Sequence, residues 1–365
     1  MDLSGTLMSA DQEIAKVTHN KVEPLLQPLM PLYFDEGHDN ILGWLEYRAI
    51  DRRRTNARLL KKALRLTTAE DVEVVLKVHG ATITDNYWFR EEGSNLAYDD
   101  VRFKENMFDK LALYGDPDSF NHPASATPEL TNIGSFEKCW RLANGKWWLY
   151  KQGSDAERFS ELFICYLGQT LGFSMAHYEP DDEFIKSLDY TEQQVNYEPM
   201  HSLVGEDEDY QKNFRVLNEL CPTAARDYVK MIYLDAVCFN MDRHTRNYGV
   251  LRDMDTGEVL SLAPNFDNNI ALISRGYPKN IEREQDRLIG LFAAFISESP
   301  AARQIYEEID TSVITTETLQ SCIKKTGFTV DEQAVCTFIL NGARLVREMI
   351  SDLAIQQKEQ GQSLL

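Results

Sequence analysis

The chain has 365 residues, 43% hydrophobic and 26% charged, which suits a globular protein of about two domains with a large core. Its formal net charge of -20 argues against a general nucleic-acid binder, because a phosphate backbone would be repelled by most of the surface. No apolar run reaches the roughly 20 residues of a membrane helix, the N-terminus lacks a secretory pattern, and the scattered cysteines without a Cys-x-x-Cys pair read as buried thiols, so a cytoplasmic protein without membrane association is expected.

In the N-terminal part, short helices are expected near Thr55 to Leu66 and Ala69 to His79, followed by an aromatic patch, Asn86 to Phe89, read as packing. Arg48, Arg52, Arg53, Arg54, Arg58, Lys61, Lys62 and Arg65 face only Glu46 and Asp51 in the surrounding stretch. This basic run is read as the solvated face of a helix whose buried side carries Leu59, Leu60, Ala63 and Leu64. The alternative is a docking face for an anionic partner. Tyr114 to Asn132, with three prolines and no apolar periodicity, marks a long loop or domain boundary.

Asn144-Gly145 between two aromatic, alternating runs is a two-residue hairpin signal. Counting outward from it pairs Ala143 with Lys146, Trp140 with Leu149 and Lys138 with Lys151. A strand-borne Lys151 then lies beside the chain following Gly134-Ser135, where a backbone turn and a point charge suit phosphates. Glu161 follows on a helix with Phe159, Leu162, Phe163, Tyr166 and Leu167 at helical spacing and Gly172 as its cap. A helix carboxylate in that place suits a partner for Lys151.

Lys230 to Asn240 is a largely apolar run that reads as a buried helix delivering Asp242 to a surface. Asp242 suits the carboxylate that orients an attacking hydroxyl, and Asn247 offers an amide oxygen to Mg²⁺. Two strand-like runs around Asp255-Thr256-Gly257 bring the chain back to Asp267, a second carboxylate for the metal. His244 is read as a structural group bonded within the loop, because Asp242 already fills the base position. Arg246 is placed to neutralise charge on a transferring phosphoryl group. From about Asp286 onward the apolar stripes read as packing helices.

The wording and order of CWRLANGKWWLYK, ERFSELFICYLGQTLG, YLDAVCFNMDRHTRNYGVL and LAPNFDNNIAL resemble the HipA-like serine/threonine kinases, especially compact bacterial members with an FDN-type metal motif. The resemblance runs from about Ile133 to Leu272, and DNYWF is similar to the N-terminal region of some such proteins. It implies an α+β, bilobed protein-kinase-like fold with a small β-rich N-lobe and a mostly helical C-lobe, preceded by a small mixed segment. Expected bounds are 1–113 for that segment, 114–132 for a linker, 133–180 for the N-lobe core and 181–365 for the C-lobe.

By the same resemblance, Asp242 is the catalytic Asp, Asn247 and Asp267 are Mg²⁺ ligands, and Lys151 binds ATP with Glu161 as its partner. Gly134 to Lys138 is the phosphate-covering loop, open to autophosphorylation at Ser135, with Thr131 as the alternative acceptor. Where related sequences read FDNG, this chain has Phe266-Asp267-Asn268-Asn269, and Asn adopts φ > 0 less freely than Gly, so the loop geometry there is expected to differ. A protein substrate and a regulatory protein partner are expected. Alternatives are a phosphoinositide or small-molecule kinase sharing the Asp-Arg-His-x-x-Asn loop, and a pseudokinase regulator that performs no transfer.

Overall fold

A computed structural model of the protein describes residues 1–35, 37–66, 70–276 and 280–362. The chain divides into two compact units, Met1–Gln152 with Asp181–Glu198 and Leu251–Val259, and Gly153–Pro180 with Pro199–Val250 and Leu260–Leu365. The division expected at 114–132 is not observed there. Pro117 and Pro128 open short 3-10 turns, Pro117–Asn121 and Pro128–Thr131, and Thr127, Glu129, Leu130, Thr131 and Asn132 are buried in the first unit. Glu161 falls in the second unit, and residues 181–198 fall in the first.

The first unit holds an antiparallel sheet ordered Lys21–Pro24, Gln12–Thr18, Gly5–Ser9, Tyr87–Glu91. Alternation along the strands sends neighbouring residues to opposite faces. Leu7, Tyr87 and Phe89 join Ile14, Trp44 and Leu45 in one core, while Met8 and Trp88 join Leu60, Phe108, Trp140 and Trp147 in another. The aromatic patch is therefore packing, as read from sequence. The strands before Lys21 were not expected individually, although Ile14 and Val17 mark the buried positions of the second one.

The Asn144-Gly145 hairpin forms as counted, with Lys138 opposite Lys151, Trp140 opposite Leu149 and Ala143 opposite Lys146. Both turn residues have positive φ, 52° and 75°, the requirement of a type I′ turn. Phe184–Leu188 extends this sheet on the Lys146–Lys151 side.

The basic run departs from its expected solvated face. Arg48 and Arg54 are buried. Arg48 donates to Asp85 at 2.7 Å and to the Gly80 carbonyl at 2.7 Å, and stacks on Trp44. The helices are shorter than expected, Ala57–Ala63 and Asp71–Leu76, so Arg48 and Arg54 lie on irregular chain ahead of them and turn inward. Leu60, Ala63 and Leu64 are buried as expected, but Leu59 is 36% exposed. Ala69 lies outside the described residues.

The second unit is mostly helical. Asp155–Thr170 begins with a capping box between Ser154 and Glu157, and Pro222–Cys238 is its buried central helix. Arg287–Glu298, Pro300–Glu307 and Glu332–Gln362 match the helical stripes at the C-terminal end, and Tyr210–Leu220 and Thr316–Thr326 add two not singled out in the sequence. The cysteines are free and buried except Cys221, which is half-buried. Among the described residues no helix is long and apolar enough to cross a membrane.

Candidate active site

The helix Pro222–Cys238 is apolar around most of its circumference, with Tyr228, Val229, Met231, Ile232, Tyr233 and Leu234 all buried, so packing rather than propensity holds it. It stops at Phe239, whose φ of 58° is left-handed. The buried Arg283 closes its C-terminal end, donating to the carbonyls of Val237 at 2.8 Å and Ala236 at 2.7 Å. A cation suits these carbonyls, which have no partner within the helix. The chain then enters Asp242 to Asn247.

Arg243 organises this loop. Its guanidinium is buried against Asp235 of the helix, with Nε to Oδ2 at 2.8 Å and Nη2 to Oδ1 at 3.0 Å. Its remaining donors reach the Asn247 carbonyl at 3.1 Å, the Phe266 carbonyl at 2.8 Å, Asn265 Oδ1 at 2.9 Å and Asn268 Oδ1 at 2.8 Å. One planar fork thus ties the Asp242 loop to the Asp267 loop. Asn240 adds bonds to Asp235 at 3.0 Å and Asn268 at 3.2 Å, and accepts from the Asp242 N–H at 3.2 Å. The Asn247 side chain is turned into its own loop, accepting from the His244 N–H at 3.1 Å and donating to the Asp242 carbonyl. His244 is bonded within the loop as expected, its Nδ1 accepting the Arg246 N–H at 3.2 Å.

Asp267 itself occupies the left-handed region, with φ 63°, whereas Asn269 does not. The expected difficulty at the Asn replacing Gly does not arise, because the unusual backbone falls on Asp267, a residue type that tolerates it better than most. A left-handed non-glycine residue costs of order 1–3 kcal/mol and persists only when its surroundings hold it. Three contacts do so: the Asp267 N–H donates to Tyr178 Oη at 3.3 Å, the Asn268 N–H to Glu161 Oε1 at 2.8 Å, and Arg243 to Phe266 as above. Glu161 is fully buried, and its bond to the Asn268 N–H makes it a support of the Asp267 loop, a role its sequence spacing did not indicate.

Burial, reinforced by the charge of Asp267, holds the Asp242 carboxyl above the usual carboxylate range, while His244 pulls it back down. The charge of Asp267 thus opposes ionisation of Asp242, and carboxylate and amide oxygens are the ligand types that suit Mg²⁺, although the Asn247 amide is bonded within its own loop. Arg246 turns outward, with Nη2 2.5 Å from Glu206 Oε1 and 3.1 Å from His201 Nε2.

Lys151, Gly134, Ser135 and Lys138 lie in the first unit. Lys151 is buried at the end of its strand and Lys138 is half-buried opposite it. Gly134 has φ 115°, and a Cβ there would lie 2.3 Å from Lys138 Nζ, so the Gly134 turn folds over the Lys138 ammonium as only glycine permits. Ser135 is exposed. Thr131 is buried and its hydroxyl donates to the Ala81 carbonyl at 2.7 Å, which removes it as an accessible acceptor.

The residues that sequence reasoning passed over are Asp235, Asn240, Asn265 and Asn268, which hold the loops without touching the predicted ligand positions. No local pattern marks them as a group, since Arg243 joins Asp235, Asn265 and Asn268, and Asn240 joins Asp235 to Asn268.

The HipA-like C-terminal domain matches residues 131–319. No curated protein sequence matches the chain. Among solved structures, HipA of Shewanella oneidensis MR-1, determined as a toxin–antitoxin complex with HipB and operator DNA, has a TM-score of 0.58 at 12% identity, covering 96% of this chain and 99% of its own. The Helicobacter pylori proinflammatory kinase CtkA has a TM-score of 0.49 at 17% identity, covering 60% of this chain and 95% of its own. The fold class is thus kinase-like, with a β-containing first unit and a mostly helical second unit.

Proposed function

This chain belongs to the HipA-like C-terminal domain family, and we propose that it is an ATP- and Mg²⁺-dependent protein kinase acting on serine or threonine. The observation that carries the reading is the Arg243 fork, which gathers Asp242, Asn247 and Asp267 on two loops of one unit. Family membership supports a kinase-like phosphotransferase.

In this reading Asp242 orients the acceptor hydroxyl and takes its proton as the hydroxyl oxygen bonds to the γ-phosphorus, and ADP leaves with the electrons of the broken P–O bond. Its raised proton affinity suits that task. Asn247 and Asp267 would hold Mg²⁺, which when bound supplies charge neutralisation at the phosphates. Lys151 would place its charge at the α- and β-phosphates, and Gly134, Ser135 and Lys138 would cover the phosphates. Arg246 would reach the transferring group only by leaving Glu206. Autophosphorylation of the exposed Ser135 would close the site by bringing a second anion into it.

A regulatory protein partner is part of the proposal, since the similar Shewanella HipA was determined with HipB and operator DNA. With a net charge of -20, contact with DNA would come through the partner.

The deciding experiment is transfer from radiolabelled ATP, offering protein, lipid and small-molecule acceptors to wild type and Asp242→Ala. Label on protein serine or threonine with wild type, reduced by about 10²-fold or more in the variant while the ATP-induced thermal shift persists, supports the reading. Label confined to lipid or small molecules, or undiminished transfer by Asp242→Ala, overturns it.

A further inference from the structure

The basic run at 48–65 contains a buried cation that neither the hairpin nor the catalytic loops use. Arg54 is 2% exposed, and its guanidinium spans the two ends of the 133–137 loop. Nη1 donates to the Asn132 carbonyl at 2.9 Å, just before the loop, and Nη2 donates to the Lys138 carbonyl, just after it. Glu129 is fully buried beside it, 3.8 Å from Nη2. It grips the same two ends through other atoms: Oε1 accepts from the Trp140 N–H at 2.7 Å, and Oε2 accepts from Asn132 Nδ2 at 2.9 Å. Asn106 Nδ2 adds a bond to Oε1 at 2.8 Å and one to the Trp140 carbonyl at 2.8 Å. From the loop itself, Glu137 accepts the Asn56 N–H at 3.3 Å.

Burying a charge pair is a poor way to stabilise a core, because desolvation offsets most of the attraction and apolar residues of similar size often serve as well. What apolar residues lack is direction. A planar fork and a carboxylate, each bonded to both ends of one loop, fix the separation and orientation of those ends.

We infer that Arg54 and Glu129 are positioning residues that clamp the two ends of the 133–137 loop in the conformation that receives the phosphates of ATP. The inference rests on the reading of that loop under the proposed function. A loop that is only fractionally in its binding conformation weakens apparent affinity by that fraction, so loosening the clamp raises KM more than it lowers kcat.

The test compares wild type with Arg54→Lys, which keeps the charge without the fork, and Glu129→Gln, which keeps an acceptor oxygen without the charge. Three quantities are measured: amide hydrogen exchange across residues 133–138 without nucleotide, exchange in the sheet strands 5–9 and 87–91 as a check on global unfolding, and KM for ATP against kcat. The expected result is faster exchange confined to 133–138 and a KM raised about tenfold, with kcat changed by less than about threefold, in whichever variant keeps wild-type exchange in the sheet. Unchanged exchange at 133–138 in a folded variant overturns the clamp. Faster exchange there with an unaltered KM leaves the clamp intact but shows that the loop does not receive ATP, which overturns the positioning role. Absence of ATP binding by wild type overturns the proposed function itself and the positioning role with it. Sheet exchange accelerated in both variants alongside the loop shows a structural role only and overturns the proposal.

Discussion

Arg243 and Asp235 form a buried two-point ion pair, 2.8 Å and 3.0 Å, at the point where the helix Pro222–Cys238 hands the chain to the loop from Asp242 to Asn247. Because the same guanidinium also bonds the Asn247 and Phe266 carbonyls, the pair fixes the loop bearing Asp242 relative to the loop bearing Asp267.

Arg243→Met leaves Asp235 buried without its cation, and a broken buried pair typically costs about 3–5 kcal/mol. Asp235→Asn removes the same attraction from the other side. Denaturant unfolding of both single variants and the double variant is expected to give a coupling energy of about 1–3 kcal/mol. Strict additivity would show that the two residues act independently and would refute the role given to the pair.

Asp267→Ala and Asn247→Ala each remove an oxygen from the proposed metal position, and the Mg²⁺ concentration for half-maximal transfer is expected to rise at least about tenfold. A metal titration of each variant reads this directly. Midpoints equal to wild type in both would remove Asp267 and Asn247 from the metal site.

Incubation with ATP is expected to place phosphate on Ser135, which is exposed, and not on Thr131, whose hydroxyl is buried against the Ala81 carbonyl. The added charge of about -1.5 to -2 should silence transfer, and Ser135→Ala should stay active under the same incubation. Peptide mapping by mass spectrometry, paired with activity over time, checks both. Phosphate on Thr131 with Ser135 unmodified would count against it.

Burial pushes the Glu129 carboxyl up to about 7, opposed by Arg54 and by the donors Trp140, Asn132 and Asn106, while an unfolded Glu titrates near 4.5. Between those values the folded protein holds a proton that the unfolded chain has lost. Raising the pH through that window removes the proton and leaves a charge in a buried site, so the stability present below about 4.5 declines toward about 7 and is level above it. The difference in thermal midpoint between wild type and Glu129→Gln is expected to fall as pH rises from about 5 to about 7.5. A difference independent of pH would show that Glu129 titrates outside the window.

Local chemistry carried much of this protein in its sequence. The Asn144-Gly145 turn dictated the strand register to the residue, since only left-handed turn residues close a two-residue hairpin of the correct twist. The apolar run ending near Asn240 was equally legible as a buried helix, because a helix apolar around most of its circumference must be covered by packing. What tertiary structure alone decided is where the buried charges go. Arg48 and Arg54 sit in a run that composition assigns to solvent, yet each turns inward, Arg48 to Asp85 and Arg54 to the loop ends beside Glu129. Glu161 reaches a backbone N–H more than a hundred residues away, and Asp267, not Asn269, takes the left-handed backbone. A buried ion is tolerated only where specific partners surround it, and those partners come from segments distant in the chain, so their identity exists only once the fold has assembled them.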